Sequence, residues 1–373
     1  MPVSISGTNG VTFPDSSLQA AAASPYVLKN RIINGDMRID QRNAGASVTP
    51  TDGQYTLDRW VGFRSQASKY SIQQNAGSVT PPTGFTNYLG ATSLSSYSSL
   101  ASDYFGIVQY IEGYNVADLA WGTADAKTIT ISFWARSSIT GTFSVSLRNS
   151  AGDRSYLATY TISSANTWTY CSITIPGDTT GTWLTTTGRG IRVWFDLGSG
   201  SDITGTPGSW SATSYVKATG GTSVVGTNGA TFYITGVQLE LGSTATPFER
   251  RLYNQELANC QRYYFQTGKE SADNNFASGF SGNASIQYVN YYLKQKMRAI
   301  PTLSTSGTAT HYQIFIGTGS VILSSVPVLD AANSTTDLVL ITNTTSGGLT
   351  VGQGGIFRAN NSTAAFLGFS AEL

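Results

Sequence analysis

The sequence predicts an all-β protein: a jelly-roll β-sandwich, then a short helix, then a smaller C-terminal β-sandwich domain. Composition is the first reason. Glycine is abundant (40 residues), aromatics reach 12% and charged residues only 12%, a profile of short strands and tight turns whose pleated faces carry Thr and Tyr. Alternation is the second. Ile129, Ile131, Phe133 and Ala135 fall on one side of an extended segment, and Thr128, Thr130, Ser132 and Trp134 on the other, which assigns one face to a core and one to a mixed surface. The third is punctuation. Turn signals at Thr140-Gly141, Asn149 to Asp153 and Pro176-Gly177-Asp178 recur at roughly the 8–12 residue spacing of a sandwich.

Taken in order, residues 1–25 alternate weakly (Val3, Ile5, Val11, Phe13) around Thr8-Asn9-Gly10. The stretch is too short to bury a core of its own, so it is either a frayed terminus or a segment that orders against other chains. Residues 26–250 read as strand, turn, strand, with strands expected at Arg31–Gln41, Arg59–Ala67, Tyr104–Ile111, Thr128–Ser137, Gly141–Arg148, Ser155–Ile162, Thr167–Ile175, Gly190–Leu197 and Thr231–Leu241. Strands in that number suit one two-sheet jelly roll, with Ser/Gly/Thr-rich loops at 68–102 and 198–229. Gly236 interrupts the last strand and reads as a bulge. Thr246-Pro247-Phe248-Glu249 carries a cap, a proline at the first helical position and a glutamate at the third, a helix-start pattern. Tyr253, Leu257, Cys260 and Tyr264 follow at helical spacing, so 251–265 is the connecting helix. Residues 266–373 form the second β domain, with strands expected within Phe276–Lys294 and at His311–Phe315, Val321–Val326, Thr336–Thr342 and Ala364–Ser370.

Charge and rare residues exclude several classes. Lys plus Arg (22) nearly equals Asp plus Glu (21), so the chain lacks the basic footprint of a nucleic-acid binder. No apolar run approaches the ~18 residues of a membrane span, and the N-terminus shows no basic region leading into an apolar core, so membrane insertion and a secretory signal are not expected. Cys171 sits in a strand pattern and Cys260 on the helix stripe; buried free thiols are the simplest reading. A single histidine, His311, removes multi-histidine metal sites and leaves any catalytic triad to one residue. The carboxylate pairs Asp36/Asp40 and Asp103/Glu112 are close in sequence but lack any supporting repeat. No catalytic residue is assigned. Binding is better supported, because pyranose rings stack on Trp and Tyr while polar groups fix orientation. Trp121, Trp183 and Trp210 fall in Gly/Thr/Ser-rich loops and Tyr291 in a tyrosine-rich run, so these four are the candidate glycan-binding residues, against the alternative of core packing. The loops around Thr318 and from Asn343 to Gly348 are a further candidate surface.

Four segments carry a family resemblance. GVQLELGSTATPFERR followed by ELANCQRYY (residues 236–264) resembles the closing segment of a jelly-roll domain, similar to carbohydrate-binding modules, in tail fibres and receptor-binding proteins of tailed bacteriophages. LKNRIINGDMRIDQRNAGASVTPTDGQYTLDRW (28–60) resembles that domain's opening. GTNGVTFPDSSLQAAAA resembles the N-terminal segments of phage fibres, and FLGFSAEL (366–373) a fourth such segment; Met297 to Thr302 matches a further one. The resemblance implies a non-enzymatic tail fibre that contacts host-surface glycans. It implies a homotrimer joined to the tail or an adaptor through residues 1–25, located in the virion tail and made in the host cytoplasm. The alternatives are a head decoration or baseplate protein without a receptor role, and a polysaccharide depolymerase. Domains of this resemblance also hold calcium through oxygen ligands; by position the candidates are Asp36, Asp58 and Glu240, with capping and strand-edge hydrogen bonding as the competing reading. Glu249 reads as the capping-box partner of Thr246.

Overall fold

The computed structural model describes residues 29–317 and 319–373, with the backbone of three short strands, Ser4–Ser6, Gly10–Thr12 and Leu18–Gln19, that pair antiparallel in one small sheet. The remainder of the expected 1–25 attachment segment, and Thr318, lie outside the described residues.

The first part is a two-sheet antiparallel sandwich. Its strands are β1 (Gln54–Leu57), β2 (Trp60–Arg64), β3 (Tyr70–Gln74), β4 (Leu89–Ser93), β5 (Phe105–Glu112) and β6 (Ile129–Ser137). They continue with β7 (Gly141–Arg148), β8 (Ser155–Ile162), β9 (Thr169–Ile175), β10 (Arg189–Asp196), β11 (Trp210–Ser211) and β12 (Thr231–Leu241). One sheet has seven strands in the order β11-β8-β7-β10-β5-β2-β1; the other has five, β9-β6-β12-β4-β3. The core face read from β6 holds: Ile129, Ile131, Phe133 and Ala135 are fully buried between the sheets, with Phe143, Val145 and Phe195 opposite. On the face expected to be surface, Thr130 and Ser132 are buried as well, Thr130 donating to the Gly242 carbonyl. The bulge also holds. The β12–β6 register shifts between Thr235 and Gln238, and Gly236 has φ +61°, a value that glycine adopts without a Cβ clash.

Three local expectations are corrected. Arg31–Gln41 contains no strand. Asn34 and Met37 take φ of 56° and 59°, and the buried Asn34 side chain bonds both the N–H and the carbonyl of Ile39 at 2.9 and 2.8 Å, closing a compact loop in place of an extended run. The helix begins later than its start pattern: α1 is Tyr253–Gln261. Thr246 donates to Glu240, and Glu249 accepts from the N–H groups of Lys29 and Asn30 at 2.6 and 2.7 Å. Those residues bind the chain entry to the chain exit of the sandwich instead of capping a helix. Two strands, β3 and β4, lie inside the segment expected to be the 68–102 loop, because Leu89–Ser93 finds its partners on β12 and β3.

After α1 come β13 (Tyr264–Gly268), β14 (Asn275–Ser281), β15 (Ile286–Tyr292), β16 (Thr302–Thr305) and β17 (Tyr312–Ile316). Then follow β18 (Gly319–Ile322), β19 (Val328–Asp330), β20 (Leu338–Thr344), β21 (Gly354–Ala359) and β22 (Phe366–Ser370). They form a three-stranded sheet, β13-β22-β16, over a seven-stranded one, β18-β17-β21-β14-β15-β20-β19, with their own core around Val289, Tyr312, Ile341, Phe357 and Phe369. Both cysteines are free and buried.

Candidate functional site

The three loop tryptophans come together, but inward. Trp121, Trp183 and Trp210 pack edge-to-face with ring centroids 4.7 to 5.5 Å apart. Trp121 and Trp183 are buried, and Trp210 is half-buried. Each indole N–H donates to a backbone carbonyl, of Lys127, Thr180 and Pro176 respectively. The expected exposure of Trp121 and Trp183 is therefore corrected: glycine-rich loops fold over them because three indoles bury more apolar area together than apart. Tyr291 is likewise interior, stacked on Phe369 at 5.0 Å; the strand period turns Tyr288 and Tyr292 outward instead.

The calcium candidates are not brought together. Asp36 pairs with Arg38 at 2.5 Å, Asp58 accepts from Gln41 N and Nε2, and Glu240 accepts from Gln238 and Thr246. Among the described residues no three His, Cys, Asp or Glu side chains converge to hold a metal ion. The acid pairs considered for catalysis are also engaged. Asp103 accepts from Ser65, Gln66, Tyr97 and the Leu100 N–H, and these bonds, set against a desolvation that acts the other way, leave its carboxyl below the usual range. Glu112 is held by Arg262 and Tyr263. His311 Nδ1 lies 3.0 Å from the Ser306 hydroxyl.

Two aromatic clusters lie on the outer faces of the sandwich, one on each sheet; the first is open, and the second is largely covered, with Tyr110 and Trp194 only 2% and 3% exposed. On the five-stranded sheet, the face of β6 opposite the core presents Ser132 and Trp134, and the β6–β9 register sets Tyr170 beside Trp134. Their centroids are 5.3 Å apart, and Tyr170 is 48% exposed. The Gly236 bulge makes room beside them: a Cβ there would lie 2.6 Å from the ring of Phe85. Phe85 packs on Phe248 at 5.2 Å, and the exposed Arg250 guanidinium sits 4.5 Å from the Phe85 centroid. Together with Thr246 these residues line a depression of about 530 Å³, within the range of small-molecule sites. Trp134 was legible as outward-facing from alternation. Phe85, Tyr170 and Phe248 were not, since nothing in the sequence joins positions so far apart.

On the seven-stranded sheet the outward face is Phe63 on β2, Tyr110 on β5, Arg192 and Trp194 on β10, and Ser146 and Arg148 on β7, with Arg148 paired to Arg192 and Trp194 to Ser146 across strands. Gly106 on β5 lets the indole lie flat; a Cβ there would meet Trp194 at 2.3 Å. Phe63 packs on Trp194 at 5.3 Å, and Tyr104 at 6.5 Å. Ile203, Ser214 and Val216, from the long loop before β12, wall a groove of about 210 Å³.

No protein-family model matches the chain, and no curated protein does. Among solved structures, the chain is similar to the enzymatically active domain of tailspike protein 4 of Bacteriophage CBA120, at 14% identity and TM-score 0.32 over 59% of this chain and 22% of that one. It thus spans about a fifth of that chain's length. A family 11 carbohydrate-binding module of Clostridium thermocellum, solved with a mixed-linked tetrasaccharide, matches at 14% identity and TM-score 0.27 over 54% of this chain and 98% of the module. A xylan-binding domain from Paenibacillus barcinonensis matches at 10% identity and TM-score 0.29 over 61% of this chain and all of that one. None of these carries its own ligand over to this chain.

Proposed function

We propose that the protein is a non-enzymatic tail fibre of a tailed bacteriophage that contacts glycans of the host surface through its β-sandwich. The open pair Trp134 and Tyr170 carries this reading. Side-by-side rings, one of them half exposed, above an apolar depression with Arg250 and Ser132 at its edge, offer what a pyranose needs: a stacking face and a few donors to set orientation. The engagement of Asp103 and Glu112 in hydrogen bonds and an ion pair supports binding without cleavage. Attachment to the virion through residues 1–25 follows from the sequence resemblance.

Adsorption of the purified, labelled chain to candidate host cells tests the proposal. Wild-type protein adsorbs, and Trp134→Ala combined with Tyr170→Ala reduces adsorption on the order of tenfold or more while the melting temperature stays within a few degrees. Adsorption unchanged in the double variant removes the platform. No adsorption by wild type to any permissive host turns the assignment to a head decoration or baseplate protein, and release of reducing ends from host polysaccharide turns it to a depolymerase.

A further inference from the structure

We infer that the groove on the seven-stranded sheet is a second ligand site, shaped for a sugar that carries an anionic group, a uronate carboxylate or a phosphate. Arg148 and Arg192 occupy directly paired positions on β7 and β10, and Arg189 lies on the same strand as Arg192. Like charges so placed repel. Among the described residues no carboxylate offsets them: none of the three arginines forms an ion pair, and Glu112, the strand partner of Arg189, is committed to Arg262. The Nε atoms of Arg148 and Arg192 are buried without a hydrogen-bond partner, as is Nε1 of Trp194, a residue only 3% exposed.

The aromatic rings offset part of this cost. Arg189 and Arg192 lie 4.3 and 5.2 Å from the Tyr110 centroid, and Arg148 lies 6.0 Å from Trp194. A ring face attracts a cation but accepts few of its N–H bonds. Arg148 donates to the Ser214 hydroxyl through one Nη; its other Nη and both Nη atoms of Arg192 are not buried and have no hydrogen-bond partner among the described residues, so these donors remain for a ligand. Burial and the charge of Arg192 push Arg148 down to about 10, the response of a cation without a counter-ion. Phe63 and Tyr104, both half-buried, supply an apolar wall beside the guanidinium pair, with the buried Trp194 packed against each of them. A free inorganic anion would leave that wall unused; a neutral sugar would leave the arginines unpaired. At about 210 Å³ the groove suits one ring. The inference shares with the proposed function the premise that the sandwich takes sugars, but not the Trp134 platform.

Calorimetric titration of the full chain tests it, with tetragalacturonate, its neutral methyl ester, glucose 6-phosphate, glucose and inorganic phosphate as probes. An anionic sugar binds, its neutral counterpart binds on the order of tenfold to a hundredfold more weakly, and added salt weakens the anionic arm. Arg192→Gln and Arg148→Gln each produce the same loss at unchanged melting temperature, while Trp134→Ala does not. Which of the two anionic sugars binds decides between carboxylate and phosphate. Equal binding of the methyl ester, retention of binding in both arginine variants, or failure of both anionic sugars overturns the site. Inorganic phosphate binding as tightly as the sugar phosphate overturns the saccharide part. Loss on Trp134→Ala alone assigns binding to the platform and likewise overturns it.

Discussion

Asp58 is fully buried, and desolvation pushes its carboxyl up to about 7 despite the Gln41 bonds and the nearby Arg42. Asp196 is pushed up to about 6 by the same cause, against bonds from Ser199 and Gly198, and Asp36 is raised by burial as well. The folded chain therefore keeps protons that the unfolded chain releases between about pH 4 and pH 7, so stability falls as pH rises through that window. Below it the sign reverses, because Asp103 is held low and loses its bonds on protonation. Asp58→Asn removes one proton's share of the slope, at most about 1.4 kcal/mol per pH unit. Denaturant titrations at pH 5 and pH 8 check this: the wild type is less stable at pH 8, and the variant shows a smaller difference. An unchanged difference in the variant shows that Asp58 does not hold the proton. The sequence marked Asp36 and Asp58 as candidate calcium ligands but not as buried acids; only the folded chain withdraws Asp58 from water.

Between the elements, the junction of the two β regions is a set of buried charges. Glu112, at the end of β5, accepts from Arg262 Nε and Nη2 at 2.9 and 2.7 Å and from the Tyr263 hydroxyl at 2.6 Å. Arg59, buried beside β2, pairs with Glu372 and lies 3.6 Å from the Tyr263 ring. Arg298 donates to the carbonyls of Thr187, Ala371 and Glu372. Removing one partner of such a set strands the other charge away from water, at a cost on the order of 3 kcal/mol, somewhat less here because Arg262 is about a third exposed. Glu112→Ala is expected to split one cooperative unfolding transition into two, the C-terminal β region melting separately, as differential scanning calorimetry would register. A single transition at the wild-type temperature would mean that the junction is held by something else. The helix stripe read from Tyr253, Leu257, Cys260 and Tyr264 marked a helix at this corner, yet Tyr253 is exposed, Tyr264 belongs to β13 and Glu256 is buried. Glu256 turns inward because Arg251 and the Asn34 N–H meet it there, partners that helical spacing cannot reveal.

At the scale of the whole molecule, the outer face of the larger C-terminal sheet exposes several large apolar side chains among polar ones. Phe280, Tyr292, Phe315, Ile322 and Val328 are between 38% and 76% exposed, and the strand registers place them on one side, with Phe280 beside Tyr288 and Val328 beside Thr342. Exposed apolar groups of that kind call for a partner, and the homotrimer implied by the sequence resemblance would supply copies of the same chain. Light scattering is expected to give three times the chain mass, and Phe315→Glu with Val328→Glu to shift it toward the monomer without loss of β-sheet signal; a monodisperse wild-type monomer would remove the trimer. By itself the sequence determined the fold class, most sandwich strands, the core face of β6, the Gly236 bulge and the burial of the cysteines. Those features depend on period, composition and turn chemistry, which act within a few residues of one another. The tertiary structure decided which aromatic residues face water. It turned Trp121, Trp183 and Tyr291 inward, and it assembled Trp134 with Tyr170 and Arg148 with Arg192. Such neighbours are set by strand register between distant segments, and register is fixed only when both sheets close on their shared core.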